Sequence, residues 1–257
     1  MNQYHKKRND PLVASGVSRM SAYLNLGMIS PFTMARDVMN SKLQGKGGAE
    51  KYMDEFFTWR ELSYAVCFHN PNCYLNVRSM LPSWAHKTLS QHLQNDPRPV
   101  FTLKQLAKSM TQSRLWNICQ QSLTKCGELH NNLRMTWGKN ILCWKIEGHA
   151  SVQGFYDALV YLNDTYALDG TAPPSYLGIL WCLGFGDSPK SPERRCFGTV
   201  RYRTAKSVQQ RYDLNKLQRH VEEFNTKNKR KSKSIMEMFS SPKACTGDKA
   251  KTKKRKL

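Results

Sequence analysis

Apolar residues recur at intervals of three and four along seven stretches of this chain: Ala22 to Val38, Tyr52 to Phe68, Trp84 to Leu93, Leu103 to Met110, Leu115 to Leu123, Leu129 to Trp144 and Val152 to Leu162. A backbone with 3.6 residues per turn gathers such positions on one face, whereas a strand needs alternation with a period of two, which is scarce here. The pattern predicts an all-α domain of packed amphipathic helices. Between the stretches lie GKGGAE, HNPNC, NDPRP, DGTAPPS and GDSPKSPE, runs of turn-forming residues that read as loops. A chain of 257 residues is long enough to bury one large core or two modest ones.

The helical pattern stops near residue 225. The remainder, TKNKRKSKSIMEMFSSPKACTGDKAKTKKRKL, holds 12 basic and two acidic residues, so it carries +10 of the net charge of +21 and leaves +11 upstream. The expected organisation is a helical domain over 1–225 and a disordered basic tail over 226–257. Both parts attract polyanions, of which nucleic acid is the commonest in a cell. The clusters KNKRKSK and KTKKRKL resemble nuclear-localisation signals, which predicts a nuclear import receptor as partner and the nucleus as location. A solvated tail that binds nucleic acid weakly is the plainer alternative. Between the clusters, SIMEMF is an apolar island suited to a partner's groove. It is slightly similar to peptides that dock on the replication sliding clamp, with Ser232 at the glutamine position and Met238 at an aromatic one.

No apolar run is long enough to span a bilayer, and MNQYHKKRND lacks the apolar stretch of a signal peptide, so no membrane partner is expected. Cysteines at 67, 73, 119, 126, 143, 182, 196 and 245 include no Cys-x-x-Cys pair, which points to reduced thiols and to no metal.

The stretch GELHNNLRMTWGKNILCW, residues 127–144, places polar groups inside an oily face. On a helical projection Asn131, Arg134 and Gly138 form one strip, flanked by Leu133, Trp137 and Trp144 on one side and Met135 and Leu142 on the other. Asn132, Thr136 and Lys139 fall on the side expected to face solvent. An arginine on a buried face needs an anion, because an unpaired charge there costs on the order of several kcal/mol. Asp169 is the candidate, in YLNDTYALDGTAPPSYLGILW, where Asp-Gly opens a turn between two helical runs. Such a pair either joins two helices or grips a ligand.

Three further constellations have the same double character. In VSRMSAYLNLGMISP, Ser18 and Ser21 bracket a helix start, where hydroxyls and free N–H groups suit phosphate oxygens or serve as caps. In DEFFTWRELSYAVCF, Glu55 and Trp59 stand at i and i+4 with Arg60 beside them, as in a core helix with a salt bridge. Trp137 and Trp144 fall two turns, about 10 Å, apart on one helix face, with Trp116 on the helix before. Aromatic stripes of this kind usually belong to a core.

Together these blocks resemble the flavin-binding helical domain of the photolyase and cryptochrome family. They are nearest to the class II cyclobutane-pyrimidine-dimer photolyases and their photolyase-like relatives. SRMSAYLNLGMISP is similar to the family's flavin-phosphate segment and HNNLRM to its His-Asn-x-Leu-Arg-Met block. LPSWAHKTLSQH, YLNDTYALDG and FGTVRYRTAKSVQQRYDL are similar to class II blocks, all in the family's order between Tyr4 and about Leu214. The resemblance implies FAD bent into a U inside a helical shell, below a basic groove into which a damaged pyrimidine pair flips from DNA. Photoexcited reduced flavin gives an electron to the dimer, the dimer splits, and the electron returns.

The same resemblance assigns Tyr4, Ser18, Arg19, Met20 and Ser21 to the FAD phosphates and ribitol, and Arg134 and Asp169 to the flavin ring. It assigns Asn131 and Glu55 to positions near flavin and lesion, Trp59 and Trp181 to the lesion-pocket walls, and Arg8 and Arg60 to positive charge toward DNA. Trp116, Trp137 and Trp144 match the tryptophans through which the flavin is photoreduced. The partner implied is DNA carrying pyrimidine dimers, and a monomer is expected. DGTAPP departs from the class II sequence Asp-Gly-Arg-Asp-Pro-Asn, so Pro174 stands where an asparagine faces the flavin N5 and Ala172 where an acid is expected. Val17 replaces a phosphate-contacting hydroxyl. The matching region starts at the beginning of the chain, so the expected architecture lacks the α/β antenna domain. The expected function is light-dependent dimer repair, a carbon–carbon lyase reaction. The alternatives are a cryptochrome-type flavin photoreceptor or redox sensor, and a non-catalytic adaptor that binds damaged DNA.

Overall fold

The computed structural model describes residues 3–41, 47–72 and 75–226. The tail with its basic clusters and SIMEMF, together with Cys73, lies outside the described residues. In chain order the helices are α1 (Tyr4–Lys7), α2 (Ser21–Asn25), α3 (Pro31–Met39), α4 (Gly47–His69), α5 (Val77–Met80), α6 (Ser83–Asn95), α7 (Leu103–Ala107), α8 (Arg114–Cys126), α9 (Asn131–Asn140), α10 (Val152–Tyr166), α11 (Pro173–Cys182) and α12 (Ala205–Gln209). A last helix, α13, covers 214–226. The all-α expectation holds apart from two short strands, β1 (Val100–Phe101) and β2 (Lys145–Ile146), which pair in parallel with Val100 opposite Lys145. Among the described residues no helix is long and apolar enough to cross a membrane, and no group of three His, Cys, Asp or Glu side chains is placed to hold a metal ion.

Local chemistry sets the helix ends. Ser113 accepts a hydrogen bond from the Trp116 N–H to start α8, which stops at Gly127 with φ +69°. A Cβ at Gly127 would lie 2.6 Å from Leu168 Cγ, so this glycine also permits a close approach. Thr102 and Gln105 form a reciprocal capping box on α7, and Ser151 caps α10 through the Gly154 N–H.

Two of the seven stretches do not form single helices. Ala22 to Val38 is interrupted where Gly27 takes φ +68°, and Ser30 then caps a new helix with Pro31 in its first turn. Leu129 to Trp144 ends as a helix at Asn140; a 3-10 turn over Ile141–Cys143 delivers Trp144 in extended conformation. The strand pairing accounts for this, since the Lys145 N–H donates to Pro99 O and the Glu147 N–H to Phe101 O. Trp137 and Trp144 are therefore not two turns apart on one helix face.

The main core gathers Leu89, Leu106, Trp116, Trp137, Phe155, Leu159 and Leu162 among others from α6 through α13. A smaller cluster of Met34, Val38, Ala49 and Tyr52 joins α3 to α4. Helix α11 packs against α4, α9 and α10, and α9 is also packed by α8 and α12. The side of α9 expected to face solvent is covered instead: Thr136 and Lys139 are buried and Asn132 half-buried. Lys139 Nζ donates to the Trp181 and Cys182 carbonyls at 3.2 and 3.4 Å, at the end of α11, and lies 3.6 Å from the Asp187 carboxylate. Burial pulls its pKa down, against Cys182 and Asp187.

Candidate functional site

Helices α1, α2, α4, α8, α9, α11 and α13 surround a cavity of about 860 Å³, toward the upper end of the roughly 300–1,000 Å³ typical of small-molecule and cofactor sites. Of the sequence-predicted site residues, Trp116 and Trp144 do not line it; all the others do.

Arg134 and Asp169 meet in its wall. Arg134 Nη2 donates to Asp169 Oδ1 at 2.7 Å and Nη1 to Ser175 Oγ at 3.3 Å. Its Nε is buried and has no hydrogen-bond partner among the described residues. Side-chain exposures of 15% and 20% make this a largely desolvated pair, in which removing one partner leaves a costly uncompensated charge. The Asp-Gly turn is held in place from two directions. Asp164 accepts from the Thr171 N–H and the Tyr176 hydroxyl at 3.0 and 2.8 Å, while Asn25 Nδ2 donates to Leu168 O and Gly170 O at 3.0 and 2.8 Å. His130 caps α9 by accepting from the Asn132 N–H through Nδ1. Burial pushes the His130 pKa down, which favours the neutral ring that this cap requires. Asn131 is exposed at the cavity.

On the opposing helix, Glu55 is held by Arg8 and Lys51, both at 2.9 Å. The salt bridge expected around Glu55 and Arg60 thus has other partners, and α4 is not a core helix, burying only Gly48, Ala49, Tyr52 and Ser63. Arg60 bends back along α4, with Nη2 donating to the Tyr64 hydroxyl at 3.0 Å. Trp59 and Trp181 meet edge to face with centroids 5.2 Å apart. Tyr4 packs edge-on against Tyr52 at 5.3 Å, and burial raises the pKa of both phenols.

At the segment preceding α2, neither Ser18 nor Ser21 caps the helix: Met20 occupies the N-cap and Ser18 hydrogen-bonds Tyr52. Arg19 takes φ +57°, a left-handed conformation that costs roughly 1–2 kcal/mol for a residue with a Cβ. That geometry pairs it with Glu128 at 2.7 Å and lays its guanidinium over the Phe224 ring of α13, 4.2 Å from the centroid. Arg19 is therefore neutralised by protein groups.

The three indoles form a continuous line. Trp137 lines the cavity and stacks on Trp116, with centroids 6.1 Å apart; Trp116 meets Trp144 edge-on at 5.1 Å. Trp116 Nε1 donates to Trp137 O and Trp137 Nε1 to Gln120 Oε1, so both buried N–H groups are satisfied.

Several site residues escaped the sequence reading. Ser175 bridges Arg134 and Asn163, and its only sequence signal is its place just after the DGTAPP turn. Gly178 lines the cavity with no heavy atom of the described residues within 4 Å of where a Cβ would sit. Arg201 and Arg203 also line the cavity, and Arg203 donates to Asn132 Oδ1. Pro174 and Ala172, the departures in the turn, are both in the lining.

No family model matches the chain. Among curated proteins, it is 33% identical over 211 residues to the deoxyribodipyrimidine photo-lyase of Methanothermobacter thermautotrophicus, covering 82% of this chain and 44% of that protein. It is 27% identical over 237 residues to the Arabidopsis thaliana protein of the same name, covering 91% and 46%. With the Potorous tridactylus protein of that name the identity is 29% over 215 residues, covering 83% and 39%. The chain thus spans less than half the length of these relatives. This similarity, extending over most of the chain, supports its membership of the photolyase family.

Proposed function

We propose that the cavity holds FAD and that the protein repairs cyclobutane pyrimidine dimers in DNA under blue light, by electron transfer from the reduced flavin. The observation that carries this reading is the Arg134–Asp169 pair in the wall of a cofactor-sized cavity, with Arg134 Nε still lacking an acceptor. A pair serving only to join two helices has no use for an unsatisfied buried donor, whose isolation costs about 1–3 kcal/mol. Gly178 adds a stretch of wall bare of side chain, against which a flat ring system can lie. The residues present therefore fit the cofactor.

When bound, the flavin supplies the light-excited electron donor. This chain's own groups bind and orient. Arg134 and Asp169 hold the ring system, with Asn131 beside it, and Tyr4, Ser18, Met20 and Ser21 face the phosphates and ribitol. Arg19, occupied by Glu128, shapes this segment more than it supplies charge. Trp59 and Trp181 form an apolar corner for a flipped pyrimidine pair, and the Glu55 carboxylate, fixed by Arg8 and Lys51, accepts a hydrogen bond from it. Arg8 and Arg60, with Arg201 and Arg203, give the rim its attraction for DNA phosphates. Trp144, Trp116 and Trp137, in that order, give an electron a path of neighbouring rings to the cavity wall. On the same reading the protein is a monomer that enters the nucleus through its tail, where SIMEMF offers a weak clamp contact.

The test is restoration of thymines in an oligonucleotide carrying a thymine dimer, by the flavin-loaded, reduced protein under blue light and not in the dark. Absence of light-dependent repair would overturn the enzymatic reading. One observation favours a flavin photoreceptor instead: Pro174 lines the cavity and offers no side-chain hydrogen bond. Illumination that changes the protease sensitivity of 226–257 without any repair would select that function.

A further inference from the structure

Away from the cavity, the strand pairing brings together three residues that take no part in the site above. Val100 stands opposite Lys145; Arg98 and Cys143 each precede that pair by two residues, near enough for the Arg98 charge to act on the thiol. The segment after α11 closes over both. Arg98 Nη2 donates to Cys196 O at 3.2 Å, the Cys196 N–H donates to Asp96 Oδ2 at 2.6 Å, and the thiols of Cys143 and Cys196 are hydrogen-bonded to each other. Arg98 is 8% exposed, and its Nε and Nη1 have no hydrogen-bond partner among the described residues. Its guanidinium lies 5.7 Å from the Phe155 ring centroid.

A buried guanidinium with two unanswered donors calls for negative charge. Asp96 supplies part of it, but its Oδ2 already receives His92 and the Cys196 N–H. The remaining acid in reach is a thiol, which ionises readily beside arginine. Cys143 donates to the Cys196 sulfur, and Arg98 and Arg195 favour its charged form, while burial and Asp96 oppose it; the net effect lowers the Cys196 pKa. At Cys119 burial acts alone, and at Cys126 and Cys182 it outweighs the nearby cations, so these thiols are pushed up to about 12, 11 and 11.

We propose that hydrogen peroxide converts the paired Cys143 and Cys196 into an intrachain disulfide. The Cys196 thiolate attacks one peroxide oxygen; the O–O bond breaks, hydroxide leaves, and Cys196 becomes a sulfenic acid. Cys143 then gives up its proton and attacks the Cys196 sulfur; the S–S bond forms, the S–O bond breaks, and the departing hydroxide takes that proton as water. Two thiols lose two electrons in all; the hydroxide released first takes up the proton that Cys196 gave up on ionising, so one hydrogen peroxide is reduced to two waters. The bridge ties the residue preceding Trp144 to the segment that carries Cys196.

The full chain would be treated with hydrogen peroxide, its remaining thiols alkylated under denaturing conditions, and its peptides analysed by mass spectrometry. The expected product joins the Cys143 and Cys196 peptides, with Cys119, Cys126 and Cys182 recovered as alkylated thiols. In the Cys143→Ser variant, which keeps a hydroxyl donor, the pH profile of Cys196 alkylation by iodoacetamide should break below the ordinary thiol range near 8.5. Arg98→Lys, which keeps the charge, should preserve that break; Arg98→Met should move it upward and slow bridging about tenfold or more. Circular dichroism checks that each variant is folded. Failure of the Cys143–Cys196 bridge to form in the wild-type chain, or a Cys196 that alkylates only in the ordinary thiol range, overturns the proposal.

Discussion

At the scale of single residues, Arg134 was legible because it interrupts an apolar strip, and physics forbids leaving such a charge alone. The structure supplies its carboxylate at 2.7 Å. Lys139 obeys the same physics and was misread, because three- and four-residue spacing cannot show that another helix ends above a side chain. Its ammonium group finds the carbonyls of Trp181 and Cys182, residues more than forty positions away in sequence. Ser175 and Gly178 were illegible for a related reason: their importance lies in what faces them across a cavity. Arg134→Ala is expected to weaken retention of FAD about tenfold or more, the value of one charge-assisted hydrogen bond, while helix content by circular dichroism changes little. Gly178→Leu should not lower the melting temperature of the flavin-free protein, because the position opens onto empty space and leucine is the better helix former. The same variant should no longer copurify with flavin; retention of a full complement would show that the bare wall is not where the cofactor lies.

At the scale of elements, periodicity located most helices but misjudged where two of them stop. Gly27 and the Ser30–Pro31 cap split one, and strand pairing with Pro99 and Phe101 truncated another, a long-range cause invisible to local spacing. The indole line illustrates the consequence: the three tryptophans neighbour one another, yet Trp144 reaches Trp116 from outside the helix that carries Trp137. The approach of α9 to α11 is set by Gly138, where a Cβ would fall 2.5 Å from the buried Cys182 Sγ. Gly138→Ala should therefore cost roughly 1–3 kcal/mol through overpacking, seen as a melting temperature lowered by about 2–4 °C per kcal/mol. A second element-level tie joins α6 to the segment near Cys196, through His92 with Asp96 and Glu193. For His92, burial lowers the pKa but hydrogen bonds to Asp96 and Glu193 outweigh it, so the folded value is raised above 6.5. For Asp96, burial raises the pKa but the Cys196 N–H and His92 outweigh it, so the folded value falls below 3.8. The His92 contribution is complete below its unfolded pKa and is lost as pH rises through the folded one; the Asp96 contribution is lost as pH falls through its own folded value. Melting temperature should thus decline by a few degrees as pH rises from about 6 to 8, for a tie worth on the order of 1 kcal/mol. His92→Gln should flatten that limb; an unchanged slope would remove the tie from the account.

At the scale of the whole molecule, the sequence carries two separable messages. The charge of +21 describes a partner class without locating a site, whereas the cavity gathers groups from α1, α2, α4, α8, α9, α11 and α13, scattered from Tyr4 to Phe224. That convergence is what fold-level packing adds, and no single stretch announces it. The proposed flavin rests on the cavity together with the similarity to photolyases, and the proposed roles of the cavity residues rest on it in turn. The decisive measurement is the absorption spectrum of the purified full chain, recorded after incubation with FAD and removal of unbound cofactor. The near-ultraviolet and blue bands of bound oxidised flavin, close to one per chain, are expected, and they should bleach on illumination with a reductant. A chain that stays colourless, although circular dichroism shows it folded, would contradict the proposal that Arg134 and Asp169 clasp this cofactor.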